Sequence, residues 1–206
     1  MRNPSLQNVL VGDSHLDSIG AEHFSRLMES SVSLENIDLF GNTITDEGCL
    51  TIANALTVNR SIKRICLKRN LIGDEGISAL SSSLVANHVL EVLDVGGNLI
   101  GDMGLKKMAT ALIVGCALKV FDISDCRITS ESVNVMSDVL KNNEKLLVLD
   151  MSENNIGPDC LEYLKMAMNL NDTLQAFYIG VEGLGKEGVD ELMQDDNFWE
   201  TRICVV

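Results

Sequence analysis

The stretch LENIDLFGNTITDEGCLTIANALTVNRS, residues 34–61, is followed directly by IKRICLKRNLIGDEGISALSSSLVANHV, residues 62–89. The two segments have the same length and carry apolar residues, an asparagine and a glycine at matching positions. Both have apolar residues at their first, fourth and sixth positions, which are Leu34, Ile37 and Leu39 in the first segment. Because self-similarity at a fixed period is the sequence signature of a repeat protein, this pattern decides the fold.

The period of 28 residues runs along the chain without an insertion. Seven units follow one another, and an apolar residue begins each of them: Leu6, Leu34, Ile62, Leu90, Leu118, Leu146 and Leu174. The fourth and sixth residues of a unit lie on one side of an extended segment, because side chains alternate along a strand. We therefore expect one short strand in each unit, with this side buried.

The remainder of each unit predicts a turn followed by a helix. Asparagine takes the ninth position in four units, where its amide can bond loop backbone that would otherwise be buried unpaired: Asn42, Asn70, Asn98 and Asn154. A threonine or a glycine then opens a helix with acidic residues in its first turn. Glycine at the fifteenth position, as at Gly48, indicates close approach of neighbouring helices. Asparagine at the helix end, as at Asn59, is expected to adopt the left-handed conformation of a helix stop.

One strand and one helix cannot bury both of their apolar faces alone, so the units must stack. The predicted fold is an α/β solenoid, shaped like a horseshoe, of seven 28-residue repeats. A parallel sheet lines its concave face and the helices form its convex face. We expect residues 1–206 to form a single domain in which residues 202–206 add a terminal strand that caps the stack.

The two quoted units resemble the ribonuclease-inhibitor-like class of leucine-rich repeats, which follows LxxLxLxxNxIxxxGxxxLxxxLxxNxx. The uniform repeat length and the closing segment RICVV most resemble the repeat regions of NOD-like receptors and of related cytosolic or cytoskeletal repeat proteins. The resemblance covers residues 6–201 and implies a leucine-rich-repeat solenoid that binds other proteins. Members of this class include inhibitors, innate sensors, GTPase regulators, actin regulators and ciliary components, so the fold does not choose among these roles.

Composition excludes several classes of function. Sixteen basic and thirty acidic residues give a net charge of −14, which repels nucleic acid and anionic membrane surfaces. The six cysteines form no CxxC pair and indicate a reducing, cytoplasmic compartment. The three histidines are not grouped with cysteines at metal-ligand spacing. We find no nucleophile elbow, phosphate-binding glycine loop or catalytic triad, and therefore expect neither a cofactor nor an enzyme.

The candidate binding residues follow from the repeat, since the third, fifth and seventh residues of each unit and the next loop residue face the concave side. The third unit contributes a basic group, close to Arg60: Lys63, Arg64, Lys68 and Arg69. Units four to six contribute an acidic group: Asp94, Asp122, Asp125, Asp150 and Glu153. We expect a bipolar surface that binds a protein partner.

Asp94, Asp122 and Asp150 are expected on adjacent strands about 5 Å apart, where their charges repel by roughly 1 to 3 kcal/mol. A basic segment of a partner would relieve this repulsion. The alternative is that aspartate is simply common at this repeat position and lies solvated. For the basic group, the alternative is ion pairing with Asp38 and neighbouring acids.

Aromatic residues often anchor protein interfaces, and Phe40 and Tyr178 are the two at predicted concave positions. Tyr178 either contacts a partner or shields the edge of the sheet. Trp199 is expected to pack the end of the last helix. Cys66, on the same face, is either an ordinary free cysteine or a thiol made reactive by the adjacent basic residues.

The first unit, residues 6–33, has Ser14 in place of asparagine and no amphipathic cap before it, so its edge is expected to be exposed or docked on another domain or chain. The function that these observations favour is a scaffold or recognition module that binds a protein through the concave face or an end of the solenoid. One alternative is a structural component of a cytoskeletal or ciliary assembly. Another is a small-GTPase regulator of the Ran GTPase-activating type.

Overall fold

The computed structural model describes residues 5–193 and 203–205. Strands and helices alternate along the chain with the predicted period. The strands are β1 (Asn8–Leu10), β2 (Asn36–Asp38), β3 (Arg64–Cys66), β4 (Val92–Asp94), β5 (Val120–Asp122), β6 (Val148–Met151), β7 (Ala176–Ile179) and β8 (Ile203–Val205). The helices are α1 (Ser18–Ser30), α2 (Asp46–Val58), α3 (Asp74–Ala86), α4 (Asp102–Val114), α5 (Ser130–Asn142), α6 (Leu161–Leu170) and α7 (Val181–Met193), with a 3₁₀ turn at Pro158–Cys160 before α6.

The strands form one parallel sheet in the order β1 to β8, so each strand pairs with the next one along the chain. From β1 to β7 each residue lies opposite the residue one repeat later, as Ile37 lies opposite Ile65 and Ile65 opposite Leu93. The predicted α/β solenoid with a parallel sheet is confirmed. Strand β8 pairs with β7 and falls within the segment 202–206, for which we predicted a terminal strand.

The core lies between the sheet and the helices. The fourth and sixth residues of the repeats are buried from the second repeat onward: Ile37, Leu39, Ile65, Leu67, Leu93, Val95, Phe121, Ile123, Leu149, Met151, Phe177 and Ile179. Helical residues four apart, such as Ile52 and Leu56, close the core from the other side. In the first repeat, Val9 and Val11 are only half-buried.

The asparagines at the ninth position join each repeat to the one before it. The Asn98 side-chain amide donates to the carbonyl oxygens of Leu67, at 3.0 Å, and Val95, at 2.7 Å. Its oxygen accepts the backbone N–H of Ile72 at 3.0 Å. The prediction that this amide bonds buried loop backbone is confirmed, because an unpaired buried N–H or C=O group would cost free energy.

The asparagines at the helix ends correct one prediction. Asn59 has φ −70° and ψ 141°, which is extended and not left-handed. Its amide donates 2.8 Å to the carbonyl of Met28 in the preceding repeat, and its oxygen accepts the N–H of Ile62 at 2.8 Å. Asparagine is therefore used at this position for its two hydrogen-bonding groups. Gly115, in the same column, is the residue that takes the left-handed conformation, with φ 91°.

The helix starts donate hydrogen bonds to carboxylates of the repeat before them. Asp46, the first residue of α2, accepts the backbone N–H groups of Gly73 at 2.6 Å and Gly76 at 2.9 Å, at the start of α3. Asp74 does the same for Gly101 and Gly104 at the start of α4. Because the first N–H groups of a helix have no partner within the helix, these carboxylates satisfy them across the repeat boundary.

Glycine at the fifteenth position marks a close approach, as predicted. A Cβ atom on Gly104 would lie 2.5 Å from Cγ2 of Ile77, and one on Gly48 would lie 2.9 Å from Cα of Ser18. In the last repeat, Gly185 has φ 65° and interrupts α7. The predicted packing of Trp199 lies outside the described residues. Within the described part, each helix is too short or too polar to cross a membrane.

Candidate functional site

The acidic row consists of Asp94, Asp122 and Asp150, which the sheet brings side by side on its concave face. Asp94 lies in register with Asp122 across β4 and β5, and Asp122 lies in register with Asp150 across β5 and β6. All three residues are half-buried. This is the placement on adjacent strands that the sequence indicated.

Each carboxylate of the acidic row also closes the turn that follows its strand. It accepts the backbone N–H two residues further on, at 3.1 Å for Asp94, 2.8 Å for Asp122 and 2.9 Å for Asp150. Asp38 makes the same hydrogen bond at 2.9 Å. The recurrence of aspartate therefore has a local structural cause, and this cause holds the carboxylates of the row in a fixed orientation.

Lys68 reaches the acidic row from the basic group. Its ammonium nitrogen lies 3.3 Å from Asp122 Oδ2 and 3.2 Å from Ser124 Oγ. The alternative for the basic group was ion pairing with Asp38 and neighbouring acids, and the long Lys68 side chain extends instead over two strands to Asp122. The basic group and the acidic group of the concave face are therefore in contact at this ion pair.

The ionisation of these groups reflects their crowding. Burial raises the pKa of Asp94, and the neighbouring charge of Asp122 raises it further. Burial disfavours the charged form of Lys68, but the carboxylates of Asp122, Asp94 and Asp150 outweigh this effect and raise the pKa of the lysine. The acidic row therefore favours a positive charge beside it.

The other basic residues lie towards the edge of the concave face. Lys63 forms an exposed ion pair with Glu35 at 3.0 Å, an arrangement worth about 0 to 1 kcal/mol. Arg60 donates to the carbonyls at the end of α2. Arg64 is exposed, and its guanidinium has no ion-pair partner among residues 5–193. The Arg69 guanidinium lies 5.7 Å from the centre of the Phe40 ring, within the range of a cation–π contact.

Three of the predicted binding residues share an unusual backbone conformation. Arg69, Asp125 and Glu153 have φ values of 54°, 49° and 55°, although each carries a long or charged side chain. The equivalent residues of two other repeats are Gly41 and Gly97, with φ values of 66° and 64°. The left-handed conformation costs an L-residue roughly 1 to 2 kcal/mol, so these repeats retain exposed charged side chains where glycine would be less strained.

The two aromatic residues lie where the sequence placed them. Phe40 and Tyr178 are both half-buried on the concave face. Tyr178 lies in register with Asp150 across β6 and β7, so it continues the acidic row by one strand.

A row of valines was missed by the sequence reasoning. Val92, Val120 and Val148 occupy the third position of three successive repeats, lie in register and are half-buried on the concave face. Ala176 continues this valine row onto β7. The signal was present in the sequence, because third positions were assigned to the concave face, but we counted only charged and aromatic side chains there.

The geometry at Cys66 answers whether its thiol is reactive. The sulfur donates a hydrogen bond to Asp94 Oδ2 at 3.6 Å. Burial raises the pKa of the Cys66 thiol to about 12, and the Asp94 and Asp38 charges add to this effect. Since the thiolate is the nucleophilic form, these contacts favour an ordinary free cysteine over a reactive thiol.

The core residues Val9 and Val11 of the first repeat are only half-buried, and three further apolar side chains of this repeat are exposed. Leu10, Ile19 and Val32 are 74%, 67% and 83% exposed. Strand β1 is the end strand of the sheet. In the described part of the chain, histidine, cysteine and acidic residues form no group of three or more that is arranged to hold a metal ion.

Comparison with known proteins agrees with this geometry. Four segments of the chain match the family model of the leucine-rich repeat: residues 30–53, 58–81, 86–109 and 142–165. A search of curated protein sequences found no match.

Solved structures show the same fold. The chain is similar to a structure of leiomodin-1 actin-binding site 2, with a TM-score of 0.52 and 18% identity over 82% of this chain and 83% of that one. It is also similar to the C-terminal domain of Caenorhabditis elegans tropomodulin, with a TM-score of 0.55 and 13% identity over 82% of this chain and 86% of that one. At these identities the likeness concerns the fold alone.

Proposed function

We propose that this solenoid, four segments of which match the leucine-rich-repeat model, is a recognition module that binds a protein partner through its concave face. The observation that carries the proposal is the order of basic and acidic side chains along that face. Arg64 lies on β3 and Lys68 and Arg69 follow that strand, while the acidic row occupies the next three strands. Such an arrangement gives a partner both an orientation and a register.

The strained turn residues support the same proposal. Arg69, Asp125 and Glu153 are exposed and stand at left-handed positions next to the concave face. Strain of this kind persists where it serves a purpose, since a glycine would relieve it. A binding role for the charged side chains supplies that purpose. Together with Phe40 and Tyr178, they complete the surface that we assign to the partner.

The finer features of the proposal follow from the same residues. We assign the repeats to the ribonuclease-inhibitor-like class because each 28-residue unit combines a strand with a helix of three turns. Free thiols at Cys49, Cys66, Cys116, Cys126 and Cys160 support a cytoplasmic location. We further propose that the module acts by binding and not by catalysis.

Two charge reversals on the concave face test the proposal. Arg64→Glu and Glu153→Arg change exposed side chains that hold no ion pair within the described residues. Lys107→Glu and Glu144→Arg are the matched controls, because these exposed residues lie away from the concave face, on α4 and after α5.

The readout is quantitative affinity capture from native lysate with all four variants. We expect one or more proteins to be lost with both concave variants and retained with both controls. Equal capture by all four variants would reject the concave face as the binding surface and redirect attention to the helices and to the exposed edge at Leu10.

A second candidate is a structural role in a cytoskeletal assembly. The observation that favours it is the likeness of the fold to leiomodin-1 actin-binding site 2 and to the tropomodulin C-terminal domain. Co-sedimentation of the chain with actin filaments tests it directly. Saturable co-sedimentation that Arg64→Glu or Glu153→Arg weakens would support this candidate, and its absence would remove the actin form of it.

A further inference from the structure

The valine row is apolar although it does not belong to the core. Core residues of the strands occupy the fourth and sixth positions of each repeat, whereas Val92, Val120 and Val148 occupy the third position and face away from the core. The same row is polar earlier in the sheet, with Asn36 on β2 and Arg64 on β3. The change from polar to apolar therefore confines an apolar strip to repeats four to seven, which is typical of a contact surface.

The acidic row runs directly beside this strip. Each of its aspartates is two residues further along the strand than the corresponding valine, so the two rows are about 7 Å apart on the same face. Beyond the aspartates lie the hydroxyl groups of Ser124 and Ser152, both on buried residues. A partner on this surface therefore meets an apolar strip and then a row of carboxylates.

Lys68 shows how the surface accepts a cation. Its ammonium lies between Asp122 and Ser124, at 3.3 Å and 3.2 Å. One strand further on, Asp150 and Ser152 carry the same two groups, but there the Ser152 hydroxyl donates to Asp150 Oδ1 at 2.6 Å. Within residues 5–193, Asp150 has no ion-pair partner. The described part of the chain therefore supplies a cation to Asp122 and none to Asp150, whose carboxylate can pair with a cation from outside.

The spacing of the rows selects a helix over an extended segment. Neighbouring strands lie about 4.8 Å apart, and an α-helix rises about 5.4 Å per turn. A helix lying along the rows thus presents one side chain per turn to nearly every strand, and its width of about 10 Å covers both rows. An extended segment repeats its side chains at about 6.8 Å on each face and falls out of step within two strands.

We propose that repeats four to seven bind an amphipathic helix of a partner protein, with its apolar side chains on the valine row and a lysine or arginine paired with the carboxylate of Asp150. This inference rests on the proposed function and specifies its partner. A second copy of this chain does not fit the description well, because its net charge of −14 opposes the acidic row. The basic segment therefore comes from another protein.

The test is selection of 16-residue peptides from a random displayed library by the intact chain. Enriched peptides are synthesised, and their affinities are measured by fluorescence anisotropy. Asp150→Asn removes the charge while its side-chain oxygen can still accept the Ser152 N–H, and Val120→Thr keeps the side-chain shape. Asp138→Asn on α5 and Val58→Thr on α2, both exposed, are the matched controls.

We expect the enriched peptides to carry apolar residues three or four apart and a basic residue on the adjoining stripe, and to become helical on binding. Asp150→Asn should weaken them about tenfold and Val120→Thr about fivefold, while both controls bind like the wild type. This combination supports the inference.

Three other results overturn it in distinguishable ways. If Arg64→Glu weakens peptide binding but Asp150→Asn does not, the proposed helix site is wrong and recognition by the concave face still stands. Peptides that bind in an extended form lead to the same conclusion. Peptides that no concave variant weakens, or a library without enrichment, count against both. Self-association of the chain that Val120→Thr abolishes would identify a second copy as the occupant.

Discussion

The carboxylate of Asp46 accepts the backbone N–H of Gly76 at 2.9 Å, and so caps a helix that belongs to the next repeat. The same oxygen accepts the N–H of Gly73 at 2.6 Å. A capping bond normally comes from the residue just before the helix, but Gly73 stands there and has no side chain to offer. The cap therefore couples neighbouring repeats as well as ending a helix.

Asp46→Ala should accordingly lower the free energy of unfolding by about 1 to 2 kcal/mol. Glu47→Ala is the matched control, because Glu47 is an exposed acid in the same first helical turn without a bond to the next repeat. Urea unfolding measures the free energy of unfolding of both variants, and the comparison holds if their m-values are equal. Equal losses in the two variants would mean that the charge near the helix start matters and the inter-repeat bond does not.

Cys126→Asn should stabilise the protein by about 1 to 2 kcal/mol. Cys126 stands at the ninth position, and its sulfur lies 3.8 Å from the carbonyl of Val95. An asparagine in this position of the repeat donates to the corresponding carbonyl at about 3 Å, as Asn98 does to Leu67. Cys126→Ala serves as the control and should not raise stability. A neutral or negative effect of asparagine in thermal unfolding would show that the loop geometry here differs from that of the other repeats.

Asp94→Asn should raise stability at neutral pH, and its advantage should disappear under acid conditions. Burial and the charge of Asp122 raise the pKa of Asp94 above its ordinary value of 3.8 in the folded state. Between pH 3.8 and the raised pKa, the folded protein therefore binds more protons than the unfolded chain. The free energy of unfolding falls as the pH rises through this range. Unfolding free energies of both proteins between pH 3 and 7 measure the effect. A constant difference across this range would contradict it.

Arg69→Gly should raise the melting temperature while weakening partner binding. Arg69 has φ 54°, and a glycine at this position relieves roughly 0.5 to 1 kcal/mol of strain after its own entropic cost. Gly97→Ala is the control, because it makes the reverse change at the equivalent position of the next repeat. It should destabilise the protein, because Gly97 has φ 64° and a Cβ there would lie 2.8 Å from Cγ of Arg69. A lower melting temperature for Arg69→Gly would mean that its contact with Phe40 outweighs the strain.

Local periodicity explains why the fold was predictable. The burial of Ile65 and its register with Leu93 depend on identical neighbours one repeat away, so one repeat specifies the next. Asn59 was placed correctly, but its conformation was not, because its partner Met28 lies in another repeat and is not visible in local sequence. The Lys68 contact with Asp122 was missed for a related reason, since it depends on side-chain reach over two strands.

The asparagine ladders are interrupted twice around the fourth repeat, residues 90–117. Gly115 replaces the asparagine that would bond the third repeat, and Cys126 replaces the one that would bond the fourth repeat to the fifth. In a linear array, stability is the sum of repeat terms and nearest-neighbour couplings. The two missing side-chain amides therefore remove hydrogen bonds on both sides of a single repeat in the middle of the chain. We expect amide hydrogen exchange to report local opening at this repeat before the repeats on either side of it.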